Sequence, residues 1–177
     1  MSLASKRLVL FLSIVTLLFG VGCGSQPSAP ADGAQSAVSP ATPPKKLTAG
    51  ELVKLRWIEG SWRGTGDIQK PFYERYRFEN ESTLVMEELA DETLSEVKDV
   101  TRYALSNGEF SNGHYVATDL DDKSITFSPL AKGRDSFRWQ TESKDAWTAI
   151  LKVPASGSNP AREVVYKLER WPAAKTQ

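Results

Sequence analysis

One histidine and one cysteine bound the chemistry open to this chain of 177 residues. Any Ser/His hydrolase would have to use His114, which directly follows Asn112-Gly113, and no Gly-x-Ser-x-Gly elbow accompanies it. His114 therefore reads as a solvent-exposed residue beside a turn. A structural zinc site takes four Cys or His ligands, and Cys23 and His114 do not supply them. Asp119-Leu120-Asp121-Asp122 lacks the central glycine and closing glutamate of a calcium loop, so it reads as a hairpin turn. Gly64-x-Gly66 opens no helix and offers phosphate no cradle of backbone N–H groups. Glu87, Glu88, Asp91, Glu92, Glu96 and Asp99 gather around one connection and read as a solvated charge run in preference to a cation site. No catalytic residue, metal or cofactor is expected, and the chain is not expected to be an enzyme.

One carboxylate stands out from this background. In the run Phe72 to Phe78, strand alternation puts Glu74 on the same face as Phe72, Tyr76 and Phe78, with Tyr73, Arg75 and Arg77 opposite. A charge on an apolar face needs a partner. Arg102 on a neighbouring strand is one candidate, and the polar head of a ligand is the other. Trp139, Trp147, Tyr103 and Tyr166 read as core, since a barrel of about eight strands is only just wide enough to be filled by its own side chains. If the interior holds a ligand, the residues expected to line the site are Phe72, Glu74, Tyr76, Trp139 and Tyr166.

The elements that must position these residues follow from changes of period. Thr48 and Glu51 have capping-box spacing, and Leu52, Leu55 and Ile58 recur on one side, which predicts a helix over 49–58 ended by Gly60. Beyond Gly60 the period is two. Strands are expected at 61–68, 72–79, 83–89, 97–105, 114–120, 124–128, 136–142, 146–153 and 162–170, with turns at Asn107-Gly108, Asn112-Gly113, Asp121-Asp122 and Lys132-Gly133. The last strand repeats the alternation, Val164, Tyr166, Leu168 and Arg170 facing away from Glu163, Lys167 and Glu169. So many strands in one domain predict an all-β fold, an antiparallel up-and-down barrel of about 8–10 strands with a short N-terminal helix, and closure removes exposed edges.

The N-terminal region has a different character. Lys6 and Arg7, an apolar run from Leu8 to Phe19 and the small residues before Cys23 have the order of a secretory signal, and the run is short for a spanning helix. Gly20-Val21-Gly22-Cys23 resembles the bacterial lipobox, although Gly20 stands where that motif prefers a leucine-like residue. The resemblance implies a diacylated Cys23, which also accounts for an unpaired cysteine in an exported chain. Residues 24–46 are rich in Pro, Ala and Ser, contain no aromatic residue and cannot build a core. The expected organisation is a signal peptide at 1–22, a lipidated cysteine and tether at 23–46, and one domain at 47–177. Removing 1–22 takes away Lys6 and Arg7 and no acid, leaving 20 basic against 22 acidic residues. That balance is no footprint for nucleic acid.

Gly60-Ser61-Trp62, a Gly-x-Trp opening the first strand after a short helix, resembles the lipocalin and fatty-acid-binding (calycin) barrels. Pro71-Phe72-Tyr73-Glu74 is similar to the nitrobindin-like branch, and Arg162 to Lys167 resembles the last strand of an uncharacterised bacterial lipocalin-like family. The resemblance spans about residues 55–171. It implies that Trp62 packs at the closed end of the barrel beneath Arg170. It also implies a haem-binding histidine on the last strand, but Glu163 occupies the matching position and no axial ligand is supplied. The function expected is that of a lipocalin-like lipoprotein, anchored in the bacterial envelope with its domain in the periplasm or outside the cell, the outer membrane slightly favoured. It would bind a small apolar or amphipathic ligand inside the barrel. The alternative is a structural or interaction lipoprotein with a filled barrel and no ligand.

Overall fold

Ten antiparallel strands, each hydrogen-bonded to its sequence neighbours, close into a barrel where β1 meets β10. The computed structural model describes residues 43–66 and 69–172. The signal, Cys23 and the tether up to residue 42 lie outside the described residues, as do 67 and 68 of the expected first strand.

The strands are β1 (Gly60–Gly66), β2 (Gln69–Asn80), β3 (Thr83–Leu89), β4 (Val97–Ser106), β5 (Glu109–Ser111), β6 (Tyr115–Leu120), β7 (Ser124–Pro129), β8 (Ser136–Ser143), β9 (Ala146–Val153) and β10 (Arg162–Arg170). The alternating faces pack as expected, for Glu74 and Tyr76 are buried while Arg77, Glu163, Lys167 and Glu169 are exposed. Asn107 and Gly108 both take positive φ and make the tight β4–β5 turn. At the β6–β7 turn the Asp121 carboxylate accepts the backbone N–H of Lys123 and of Ser124, each at 2.7 Å, so its role there is to hold the hairpin.

The helical stretch differs from expectation. Ala49–Leu52 is one α-turn behind an intact Thr48/Glu51 capping box, and Val53–Ile58 continues as a 3₁₀ helix. The spacing explains this, because Leu52, Leu55 and Ile58 are three residues apart and eclipse one another at three residues per turn. The 3₁₀ winding lines up all three in the core, and each is almost fully buried.

This helical segment closes one end of the barrel. Trp62 Nε1 donates to the Ile58 carbonyl at 2.6 Å, and the Arg170 guanidinium lies 3.9 Å from the centre of the Trp62 ring. Arg170 also donates to the carbonyls of Glu59 (2.6 Å) and Lys144 (2.9 Å), tying the last strand to the helix exit and to the β8–β9 turn. Trp57 and Trp62 each meet Trp147 edge-on at 6.1 Å.

The chain docks earlier than the expected boundary at residue 47. Lys45 N–H donates to the Ala117 carbonyl at 3.0 Å and Leu47 N–H to the Gly108 carbonyl at 2.8 Å. Lys46 Nζ lies 2.9 Å from Glu109. The segment fills a seam, since β5 and β6 share a single registered pair, Ser111 with Val116.

Closure of the barrel does not remove every edge. β4 pairs with β3 along most of its length but with β5 only at Ala104–Ser106, because β5 is three residues long. From Val97 to Tyr103 the other side of β4 has no strand partner among the described residues. The Val100 N–H is taken up instead by the Asp99 carboxylate at 2.8 Å.

Candidate functional site

Register fixes which side chains share the inner face of the barrel, and their exposure grades along it. Trp62 stands opposite Glu74, Leu84 opposite Phe78 and Tyr103, and Trp139 opposite Ala149. Towards the helix the inward residues Trp62, Leu84, Ile125, Trp147 and Leu168 have essentially no contact with solvent. Further along, inward residues from four strands keep a measurable surface: Glu74 6% on β2, Tyr103 4% on β4, Trp139 5% on β8, and Ala149 6% and Leu151 8% on β9. Beyond these, Phe72, Glu88, Thr101, Tyr115, Phe137, Val164 and Tyr166 point inward yet are only half-buried. The inner face thus grades from core packing at the plugged end to half-buried side chains at the other end, where a lumen would open.

Aromatic rings make its wall. Tyr115 meets Phe137 at 4.9 Å, and Phe137 stacks on Phe127 at 4.8 Å. Trp139 touches Phe127 at 5.1 Å, Tyr103 at 5.4 Å and Tyr76 at 5.6 Å, mostly edge to face. The rings continue through Tyr76 and Trp147 to the closed end.

Within this wall, Glu74 accepts a hydrogen bond from the Tyr76 hydroxyl at 2.8 Å. The two side chains are two residues apart on one strand and so project from the same face. No basic group lies within ion-pairing distance of Glu74 among the described residues. Its carboxyl is pushed up to about 7, chiefly by loss of hydration and further by the charge of Glu88, with the Tyr76 hydrogen bond opposing. Burial likewise holds the Tyr76 and Tyr103 hydroxyls above the ordinary tyrosine range.

Arg102, one of the two candidate partners for Glu74, does not reach it. Tyr103 is the residue of β4 that faces in, so Arg102 faces out and places its Nε 3.6 Å from Glu79. Two acids that sequence reasoning left in the surface charge run do face the lumen. Glu74 is registered with Glu88 on β3, and Glu88 with Asp99 on β4, which puts three carboxylates in a row across neighbouring strands. Glu87 points the other way, 3.2 Å from Arg75 and 3.4 Å from Arg77, as an outer-wall ion pair. Among the described residues no group of three His, Cys, Asp or Glu side chains could hold a metal ion. His114 is exposed, and Glu163 is exposed with its carboxylate 4.0 Å from Lys152 Nζ.

The five expected lining residues divide into two groups. Glu74, Tyr76 and Trp139 meet in the middle of the lumen. Phe72 and Tyr166 contact one another at 5.9 Å nearer the open end, and each ring lies over an inward glycine of β1. A side chain at Gly64 would run into the Phe72 ring, and one at Gly66 would come within 2.8 Å of Tyr166. The glycines of Gly-Ser-Trp-Arg-Gly-Thr-Gly thus leave room for two aromatic side chains from neighbouring strands. A separate groove of about 190 Å³ lies at the helical end, between Leu52, Val53, Arg56, Phe78 and Glu81.

No protein-family model matches the chain, and no curated protein does. Among solved structures, a redesigned β-barrel, b11L5F_LGL, is similar at 9% identity with a TM-score of 0.32, the likeness covering 64% of this chain and 91% of that one. EF1p2_mFAP2b bound to DFHBI is similar at 13% identity with a TM-score of 0.31, covering 66% of this chain and 96% of that one. Likenesses this distant assign neither a family nor a ligand to this chain.

Proposed function

We propose that this chain is a lipocalin-like lipoprotein, anchored in the bacterial envelope through Cys23, whose barrel takes a small apolar or amphipathic molecule into the lumen. The observation that carries the reading is the half-buried aromatic surface of Phe72, Tyr115, Phe137 and Tyr166 at one end of the barrel interior, with Glu74 buried deeper on the same inner face. Apolar surface that stays in contact with water inside a fold is a standing gain for any ligand that covers it. The anchor rests on the signal-like N-terminus, the lone cysteine and the coreless stretch that follows it.

A filled interaction barrel draws support from the plugged end, where Trp57, Trp62, Tyr76 and Trp147 pack edge to face. Native mass spectrometry of the protein purified from its own envelope in mild detergent separates the two. The ligand reading expects a bound mass released on unfolding. A bare chain that also takes up no added amphiphile would overturn it.

A further inference from the structure

We propose that the lumen selects a cation, an ammonium group carried on an apolar body, and that Glu74 is its counter-ion. This rests on the ligand-binding reading above and adds the sign of the charge.

The first ground is the setting of Glu74. The residue is 6% exposed inside the barrel, and its carboxyl has the Tyr76 hydroxyl as its hydrogen-bond partner. One hydroxyl offers a single proton to a group with two oxygens and several lone pairs. A buried carboxylate whose neighbours supply no cation is poorly compensated, and a ligand ammonium would supply both the charge and the missing donors.

The second ground is what else faces inward. Glu88, half-buried, is registered with Glu74, and Asp99, exposed, is registered with Glu88, so carboxylates run from Glu74 across β3 to β4. The basic residues on the same inner face are elsewhere. Arg170 is committed at the closed end to Trp62 and two carbonyls, while Arg134 beside Tyr115 and Arg162 beside Tyr166 stand at the rim, where Asp135 faces Arg162. An anion drawn in to the depth of Glu74 would meet like charge. A neutral ligand would strip the remaining water from Glu74 and return at most a hydrogen bond, with no compensating charge.

The third ground is independent of the acids. Tyr76, Tyr103 and Trp139 surround the same region, with ring centres 5.4 to 5.6 Å apart between Trp139 and each tyrosine. Aromatic faces attract cations through the ring quadrupole, most strongly where water is excluded. A carboxylate beside several such rings is a chemical match for an amine with an apolar tail.

Three probes of equal chain length test this: octylamine, octanol and octanoate, titrated into the full chain at about pH 8, where Glu74 is ionised, with tryptophan fluorescence as the readout. Octylamine is expected to bind about tenfold more tightly than octanol or better, a difference of about 1.4 kcal/mol, with octanoate weakest. Glu74→Gln is expected to bring octylamine to parity with octanol. Near-ultraviolet circular dichroism checks that this variant is folded, and Glu88→Gln, at a half-buried position, provides a second arm in which the preference shrinks. Octanol or octanoate binding as tightly as octylamine, or a preference that survives Glu74→Gln, would overturn the charge assignment alone. If none of the three probes binds, the ligand-binding reading falls and this inference falls with it.

Discussion

Replacing Glu74 by glutamine should remove a specific pH dependence from the stability of the barrel. In the unfolded chain this carboxyl titrates near its ordinary value of 4.5, and in the folded barrel burial and the Glu88 charge hold it at about 7. Between those values the folded state keeps a proton that the unfolded state has lost. The contribution to stability is therefore full below 4.5, declines as the pH rises and is gone above about 7. At roughly 1.4 kcal/mol per pH unit for a difference of one proton, the loss across that window is about 3 kcal/mol. The titratable groups facing Glu74 are Glu88 on β3, Tyr76 on its own strand and Tyr103 on β4; both tyrosines stay protonated throughout, since burial raises them. The assay is thermal unfolding of wild type and Glu74→Gln from about pH 5 to about pH 8. Taking the difference between the two proteins at each pH cancels the other titrating groups they share. From about pH 5 to about pH 8 wild type should lose about 2–3 kcal/mol relative to the variant, or roughly 5–10 °C in Tm for a domain of this size. A difference that does not change with pH, or one in which wild type gains, would refute the reasoning.

Three further outcomes are expected. Arg170→Met keeps the aliphatic stem over Trp62 but loses the cation–π contact and the two carbonyl bonds, and should cost about 2–4 kcal/mol in urea unfolding. Gly64→Ala should cost about 1–3 kcal/mol by displacing the Phe72 ring, and in a Phe72→Ala background most of that cost should disappear, giving a large coupling in a double-mutant cycle. Cys23→Ala should move the protein from the membrane fraction to the soluble fraction, and an alanine variant as membrane-bound as wild type would remove the lipid anchor.

Much of the barrel was legible because period-two alternation survives in most strands. It put Glu74 inside, with Phe72, Tyr76 and Phe78 on its face and the arginines of β2 opposite. β5 escaped because Phe110 is its only apolar residue and three positions are too few to show a period. The 3₁₀ segment was present as the constant spacing of Leu52, Leu55 and Ile58, which also fits an α-helical stripe over so short a run. The partner of Glu74 was less accessible to sequence. Deciding whether Arg102 or Tyr103 faces in takes the register of two successive hairpins, and a single residue of slip reverses the answer. The same registers move Glu88 and Asp99 from a surface charge run to the inner wall, and set Phe72 and Tyr166 over the glycines of β1. None of these placements is a property of one strand alone.

The docking of Lys45 and Leu47 has a mechanical consequence. If the chain is held at Cys23, any tension between membrane and barrel arrives at the Lys45–Ala117 and Leu47–Gly108 backbone bonds before it reaches a strand ladder. Those bonds bridge the seam where β5 and β6 share one registered pair, close to the β4 stretch that has no second partner. Force would thus be delivered at the weakest join in the wall, and stretching the tether would loosen the lumen from its side while the Trp62–Arg170 end stayed shut.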